Sequence, residues 1–237
     1  MDGAVDPPDG AVINEDEASP PMKPSVWQST LEEFRDQVAS RQPVPASGCV
    51  SAVTANLALN LVVKVLEITQ RKKGFEGEAE KLRALMNDAK TLSATLAGYA
   101  DEDVAAFNAY LNSARLPESD DEERAKRKQA MAAALQQVIQ APFCAASSAA
   151  FGMRLCSDAV ALVPKSLIAD LGSAAALLAG AARALIVSAE FNIRQLAGDP
   201  GDYRKVSAQL QDLEREVLQK ENSMRKQVAS LLPQEKS

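Results

Sequence analysis

The stretch PVPASGCVSAVTANLALNLVVKVLEITQRKK, residues 43–73, decides the fold class that the sequence predicts. Two prolines and several small residues open it, Ser47 can cap the helix that follows, and Gly74 suits the end of that helix. Apolar residues then recur at steps of three and four, the period of one buried helical face. The predicted face consists of Val50, Val53, Leu57, Leu61, Val65 and Ile68.

A polar seam runs beside this face. It consists of Asn56, Asn60, Lys64, Glu67 and Arg71. Polar groups on so apolar a helix need partners, so the seam either is hydrogen-bonded inside a helical assembly or lines a cleft.

The rest of the chain also has helical periodicity, without strand-like alternation of useful length. Ser29 followed by Glu32 predicts a capping box, and the acidic group 101–103 predicts a bend or restart within a long helix. Pro142 is expected to end one helix and open the next. The final helix is predicted from about Tyr203 to Leu232.

A second apolar helix is predicted from Asp170, its expected N-cap, to Leu196. Small or polar residues at every fourth position form a ridge that lets another helix approach closely. The ridge consists of Gly172, Ala176, Gly180, Ala184, Ser188 and Asn192. Arg183 would lie near the middle of a bilayer, which favours a buried helix of a soluble protein over a membrane span.

These patterns predict an all-α fold, a single-domain bundle of long helices over residues 27–232. Residues 1–26 are acidic and rich in proline, so we expect a disordered tail. The N-terminus has no basic start or apolar segment typical of a signal peptide, and Cys49, Cys144 and Cys156 fit no disulfide framework. We therefore expect a reducing, cytoplasmic setting.

Composition excludes several classes of function. The formal net charge of −6 and the pI of about 4.9 argue against nucleic-acid binding by a basic surface. The chain contains no histidine, which removes Ser-His-Asp and Cys-His catalysis and imidazole-bound zinc. Proton transfer would therefore depend on carboxylates, lysine, tyrosine or cysteine.

A few residues are candidates for chemistry, and each has a structural alternative. Ser47 and Gly48, at a helix N-terminus, could cradle an anion or simply cap the helix. Cys49 would have a lowered pKa if it were exposed, but an inert packed thiol is favoured. Asp103 and Asp170 are helix-terminal acids that suit either capping or catalysis.

The order and spacing of several motifs resemble one known family, from Leu31 to about Leu231. This is the cyclodeaminase/cyclohydrolase family, which includes the C-terminal domain of formiminotransferase-cyclodeaminase and the methenyltetrahydrofolate cyclohydrolases. The family's helix-end motif Asn-x-Thr-x-Gly-Lys-Lys resembles residues 67–73, and its Asp-x-x-Ala-Phe motif resembles residues 103–107. A family Leu-Pro followed by an acidic run resembles residues 116–127, and a helix-opening proline resembles Pro142. The family's Ser-Asp-x-Gly resembles residues 169–172, and its Asn-x-x-x-Asn resembles Ser188 with Asn192.

The resemblance implies a helical protomer that forms a homodimer, without a metal or a tightly bound cofactor, and acts on one-carbon adducts of tetrahydrofolate. The implied reaction is hydrolysis of methenyltetrahydrofolate to formyltetrahydrofolate, or cyclisation of formiminotetrahydrofolate with release of ammonia. Asp170 first, and then Asp103, are the expected catalytic carboxylates. The expected substrate-binding residues are Lys72 and Lys73, for the glutamate carboxylates of folate, together with Gly48, Ser47, Thr69 and Asn192.

The chain departs from the family pattern at the family's Pro-Gly-Gly-Gly-Ser loop, which is residues 45–49 here, and at Glu67, Arg71 and Ser188. Glycines permit close approach of backbone to a ligand, so their loss bears on activity more than on fold. The alternative function is therefore a catalytically inactive relative that acts as a helical binding or scaffold protein.

Overall fold

A computed structural model of the chain describes residues 25–196 and 203–231. Its α-helices are α1 (Leu31–Ala39), α2 (Ser47–Gln70), α3 (Ala79–Ala114), α4 (Asp121–Ala159), α5 (Ile168–Leu196) and α6 (Arg204–Leu231). Short 3₁₀ turns span Val26–Gln28, Glu76–Glu78 and Lys165–Leu167. No strand occurs in the described ranges, and the all-α prediction is confirmed.

Helices α2 and α5 are central to the bundle. Helix α2 packs against α3 and α5, and α5 packs in addition against α4 and α6. Their buried faces are rich in alanine, so the backbones approach closely. The largest buried side chains in this pair of helices are Leu59, Leu66, Ile168, Leu171, Leu178, Leu185 and Ile186.

The predicted buried face of α2 is wrong for most of its length. Leu57 is 54% exposed and Ile68 is 42% exposed, whereas Val65 is buried. The buried side consists instead of Ala55, Ala58, Leu59, Val62, Val65 and Leu66. Because α2 is apolar almost all round, its periodicity does not show which side meets the core.

The polar seam of α2 divides into two halves. The Asn56 side-chain amide donates to the Ser93 carbonyl at 2.7 Å, and the Asn60 amide donates to the Ser93 hydroxyl at 2.9 Å. These bonds tie α2 to α3, as the first of the two alternatives predicts. Lys64 and Glu67 lie at the surface and form ion pairs.

Helix α3 is continuous through Asp101 and Asp103, so the predicted bend or restart is wrong. Both carboxylates accept hydrogen bonds from other segments instead of starting a new helix. Asp101 accepts from Ser25 and Val26, and Asp103 accepts from the backbone N–H of Cys49. Such partners, distant in sequence, are invisible to local capping rules.

Helix α4 is also continuous, and Pro142 lies inside it rather than opening a new helix. Proline has no N–H, so the carbonyl four residues earlier, that of Val138, loses its intrahelical donor. The side-chain amide of Asn192, on α5, donates to this carbonyl at 3.0 Å. The tertiary contact thus replaces the hydrogen bond that proline cannot make.

The limits of the first and last helical segments differ slightly from the predicted limits. The capping box of α1 is formed by Thr30 and Glu33, one residue later than predicted. Of the predicted disordered tail, residues 1–24 lie outside the described range, whereas Ser25 and Val26 are bonded to α3. Helix α6 spans nearly the predicted range.

The segments Ser47–Gln70 and Lys165–Arg194 are long and apolar enough to cross a membrane, by length and composition alone. Both pack within the bundle on one side and expose apolar side chains on the other.

We expect Gly152→Val to destabilise the bundle by about 1–3 kcal/mol, because a side chain here overpacks the contact of α4 with α2 and α5. A Cβ at Gly152 would already lie 3.0 Å from Leu59 and 3.1 Å from Leu178. Urea unfolding followed by circular dichroism measures the change. Gly98→Ala, in open space on α3, is the control and should stabilise by roughly 0.5–1 kcal/mol. Equal effects of the two substitutions would contradict this packing.

Candidate functional site

The N-terminus of α2 is capped by a side chain from another helix. Ala46 occupies the cap position and offers no side-chain hydrogen bond. The carboxylate of Asp103, on α3, accepts a hydrogen bond from the backbone N–H of Cys49 in the first turn. The prediction that Ser47 caps the helix is wrong, because its hydroxyl is 2.6 Å from that of Ser188 on α5.

Gly48 is required by this contact. A Cβ at Gly48 would lie 2.0 Å from the Oδ1 atom of Asp103, closer than any real contact. The sequence predicts an anion cradle at Ser47 and Gly48, and the anion that lies there is a carboxylate of the protein. The cradle and Asp103 are therefore parts of one site.

Partial burial changes the acidity of Asp103. Desolvation raises its pKa from the ordinary 3.8 to about 6, against the opposing effect of the Cys49 N–H. The carboxyl group can therefore both take up and release a proton near neutral pH. Cys49 is fully buried, and its pKa is raised to about 12 by burial and then by Asp103 and Asp101, so the predicted inert thiol is confirmed.

Ser188 and Asn192 bring α5 to this end of the bundle. Asn192 uses one amide hydrogen to bond the Val138 carbonyl, so it already has a structural role. It lies one helical turn beyond Ser188, which contacts Ser47. Ser47 directly precedes Gly48, the neighbour of Asp103. We call these five residues the Asp103 group.

The remaining predicted residues lie towards the other end of α2. Asp170 is in the first turn of α5, rather than at its N-cap, and its carboxylate is 2.9 Å from the Lys64 amine. The Lys72 amine donates to the Ser166 hydroxyl at 3.4 Å, and Lys73 is exposed. Lys64, Lys72, Lys73 and Asp170 are called the Lys64 group below.

Thr69 offers nothing to a ligand in this structure. It is fully buried, and its hydroxyl donates to the Val65 carbonyl at 2.8 Å. Its position therefore supports a role in packing the end of α2.

The negative charge of Glu67 is compensated by a lysine on α3. Its carboxylate is 2.9 Å from the Lys90 amine, and the hydrogen bond and charge of Lys90 lower the pKa of Glu67. The acid that replaces the family asparagine is thus paired with a cation beside the basic end of α2.

Within one protomer, the Asp103 group and the Lys64 group lie far apart. Gly48 and Lys64 are sixteen residues apart on α2, which places them about 24 Å apart along the helix. The predicted residues therefore do not surround one hollow within a protomer. The sequence places Lys64 in the polar seam, but its pairing with Asp170 depends on contact between α2 and α5.

We expect Asp103→Asn to increase the free energy of unfolding by roughly 1–3 kcal/mol above pH 6. A raised carboxyl pKa means that folding favours the protonated form, so wild-type stability falls as the pH rises from about 4 to about 6. The asparagine oxygen keeps the bond to the Cys49 N–H without burying a charge.

Chemical unfolding at pH 4, 6 and 8 measures this difference, which should disappear at pH 4. Asp170→Asn is the matched control, since its carboxylate is exposed and ion-paired, and should change stability by under about 1 kcal/mol. An Asp103→Asn protein that is less stable than wild type at pH 8 would contradict the assigned electrostatics.

Comparisons with known proteins agree with this architecture. The chain is 28% identical to a methenyltetrahydrofolate cyclohydrolase of Methylorubrum extorquens over 144 residues, 61% of this chain and 65% of that protein. It is 31% identical to a formimidoyltransferase-cyclodeaminase of Sus scrofa over 126 residues, 53% of this chain and 23% of that protein. The chain thus spans less than two thirds of the length of either relative.

A crystal structure of formiminotetrahydrofolate cyclodeaminase from Thermotoga maritima has the same fold, with a TM-score of 0.71 and 21% sequence identity. The similarity covers 88% of this chain and 98% of that one. Residues 30–212 match the family model described as formiminotransferase-cyclodeaminase. Because that match includes most of the bundle, the chain belongs to the formiminotransferase-cyclodeaminase family.

Proposed function

We propose that this protein is a one-carbon enzyme acting on tetrahydrofolate adducts. It hydrolyses methenyltetrahydrofolate to formyltetrahydrofolate, or it cyclises formiminotetrahydrofolate and releases ammonia. The observation that carries the proposal is the Asp103 carboxyl, which lies at a helix N-terminus with a pKa raised to about 6. The relatives named above support the choice of substrate class.

Both reactions need proton transfer beside an electron-poor carbon between two nitrogens. In the hydrolysis, Asp103 takes a proton from water as the water oxygen bonds to the methenyl carbon. One carbon–nitrogen bond of the tetrahedral adduct then breaks, and the leaving nitrogen takes a proton. In the cyclisation, the second folate nitrogen bonds to the formimino carbon and loses its proton. The protonated carboxyl group donates a proton to the amino group on that carbon, and the bond between them breaks to release ammonia and leave the methenyl cation.

Asp103 suits this role better than Asp170. The side chain of Asp170 is 39% exposed and pairs with Lys64, so its charge is already compensated. Asp103 has no cation among the causes of its pKa shift and is poised to titrate near neutrality. We therefore place Asp103 first and assign Asp170 to orienting Lys64.

The Lys64 group suits an anionic part of the substrate. Lys64, Lys72 and Lys73 present ammonium groups at one end of α2, where the glutamate carboxylates of folate would bind. Near Asp103, the hydroxyl groups of Ser47 and Ser188 would orient the pterin or the attacking water.

A homodimer would bring the two groups together. The surface between them on α2 and α5 exposes large apolar side chains, with Leu57 at 54%, Leu177 at 46% and Val187 at 66% exposure. Gly180 leaves open space on the same surface for close approach of another helix. A two-fold axis through the middle of this surface sets the Asp103 group of one protomer against the Lys64 group of its partner.

Purified protein should accelerate the loss of methenyltetrahydrofolate absorbance, or ammonia release from the formimino adduct. For the hydrolysis we expect kcat/KM to rise with pH through about 6, as Asp103 becomes the base. For the cyclisation we expect it to fall over the same range, as the protonated acid is lost. Asp103→Asn should lower kcat by roughly 10²–10⁴-fold, whereas Asp170→Asn should mainly raise KM. The absence of both activities, or full activity of Asp103→Asn, would refute the catalytic role and favour the scaffold alternative.

Heterodimers test whether the site is shared between subunits. A differently tagged pair, one subunit with Asp103→Asn and the other with Lys64→Ala, should contain one site with both native halves and recover about half of wild-type activity. Heterodimers as inactive as the parent homodimers would contradict a shared site.

Sedimentation of two surface variants tests the interface itself. Val187→Asp places a charge in the proposed interface and should yield monomers, whereas Leu218→Asp, on exposed α6 surface, should not. A wild-type protein that is monomeric at micromolar concentration would refute the dimer.

A further inference from the structure

The segment 25–46 lies across the end of the bundle where Asp103 is found. Helix α1 within it has no buried residue, and Leu31 is 84% exposed. The segment nevertheless contributes apolar side chains to a small second core cluster beside Asp103. Its contributions are Val26, Phe34 and Val44, which pack with Cys49 and Ala52 of α2 and with Ala100 and Val104 of α3.

Asp101 ties the start of this segment to α3. Its Oδ2 atom accepts a hydrogen bond from the Ser25 hydroxyl at 2.7 Å, and its Oδ1 atom accepts one from the Val26 N–H at 2.9 Å. The indole N–H of Trp27 adds a bond to the Ala97 carbonyl at 3.0 Å. Three hydrogen bonds thus tie Ser25, Val26 and Trp27 to α3.

Asp101 and Asp103 both lie on α3 but contact different segments of the chain. Residues two apart on a helix do not share a face, so Asp101 meets the segment 25–46 while Asp103 meets the N-terminus of α2. The cluster of Val26, Phe34 and Val44 lies beside both. Loss of the anchor would therefore open this cluster without removing the Asp103 carboxyl or its cap bond.

We propose that residues 25–46 form a strap that excludes water from the Asp103 group, and that Asp101 is the positioning residue that holds the strap in place. Asp101 does not touch the reacting atoms and acts only through the strap. The functional meaning of the strap rests on the proposed function, because it matters for catalysis only if Asp103 transfers a proton.

The groups that face Asp103 do not obscure the effect that opening the strap has on the Asp103 pKa. On α2 they are the Cys49 N–H and the Cys49 thiol, which stays neutral because its pKa is about 12. On α3, the Asp101 carboxylate accepts hydrogen bonds from Ser25 and Val26. The anchoring side chains Ser25 and Trp27 are uncharged, and Ser188 on α5 is neutral. Burial is the first cause of the raised pKa, so opening the strap should lower it.

The test is the titration of the Asp103 carboxyl by ¹³C NMR, assigned by its loss in Asp103→Asn. The double variant Ser25→Ala, Trp27→Phe removes two anchoring donors without changing any charge. It should lower the Asp103 pKa by about one unit, and Asp101→Asn should lower it at least as far. Amide hydrogens of Val44 and of residues 46–49 should exchange faster in both variants.

Glu102→Gln controls for the charge that Asp101→Asn removes, since Glu102 is an exposed acid on the same turn. The proposal is overturned if Asp103 titrates at the wild-type pH in the double variant, or if Asp101→Asn shifts it no further than Glu102→Gln does. These titrations need no folate. A confirmed strap without turnover would refute only the proposed function, and turnover with an unmoved titration would refute only the strap.

Discussion

The contact between Asp103 and the first turn of α2 is the constraint on which the rest of this end of the molecule depends. A carboxylate from α3 supplies the cap that Ala46 cannot, and it does so only because Gly48 leaves room for it. Helix capping contributes on the order of 1 kcal/mol, while burial of the carboxyl group works against its ionisation. The contact therefore orients the acid, while burial at the same place raises its pKa against the opposing effect of the Cys49 N–H.

Polar contacts between helices recur wherever the local sequence leaves a group unsatisfied. Pro142 deprives the Val138 carbonyl of its donor, and Asn192 supplies one from α5. Ser93 holds the amides of Asn56 and Asn60 between α2 and α3. In an alanine-rich core these directional bonds set the alignment of the helices, since small apolar side chains alone do not fix how helices slide past one another.

Helix α2 carries different charges at its two ends. The N-terminal end of α2 receives an acid, while the other end collects cations and pairs Glu67 with Lys90. The apolar surface between the two ends is uncovered within the protomer. A two-fold partner on that surface would join acid and cations, and the strap would cover the end of the protomer where Asp103 lies.

From periodicity and residue order, which are local properties, the sequence predicted the helical class, most of the helical segments and the motifs that identify the family. It did not determine that α2 turns Leu57 and Ile68 outward, that α3 and α4 pass unbroken through Asp103 and Pro142, or that Asp103 and Asp170 lie far apart. Those features depend on partners distant in sequence. They are visible only in the folded molecule, because a hydrogen bond or a buried face exists only when the second helix is in place.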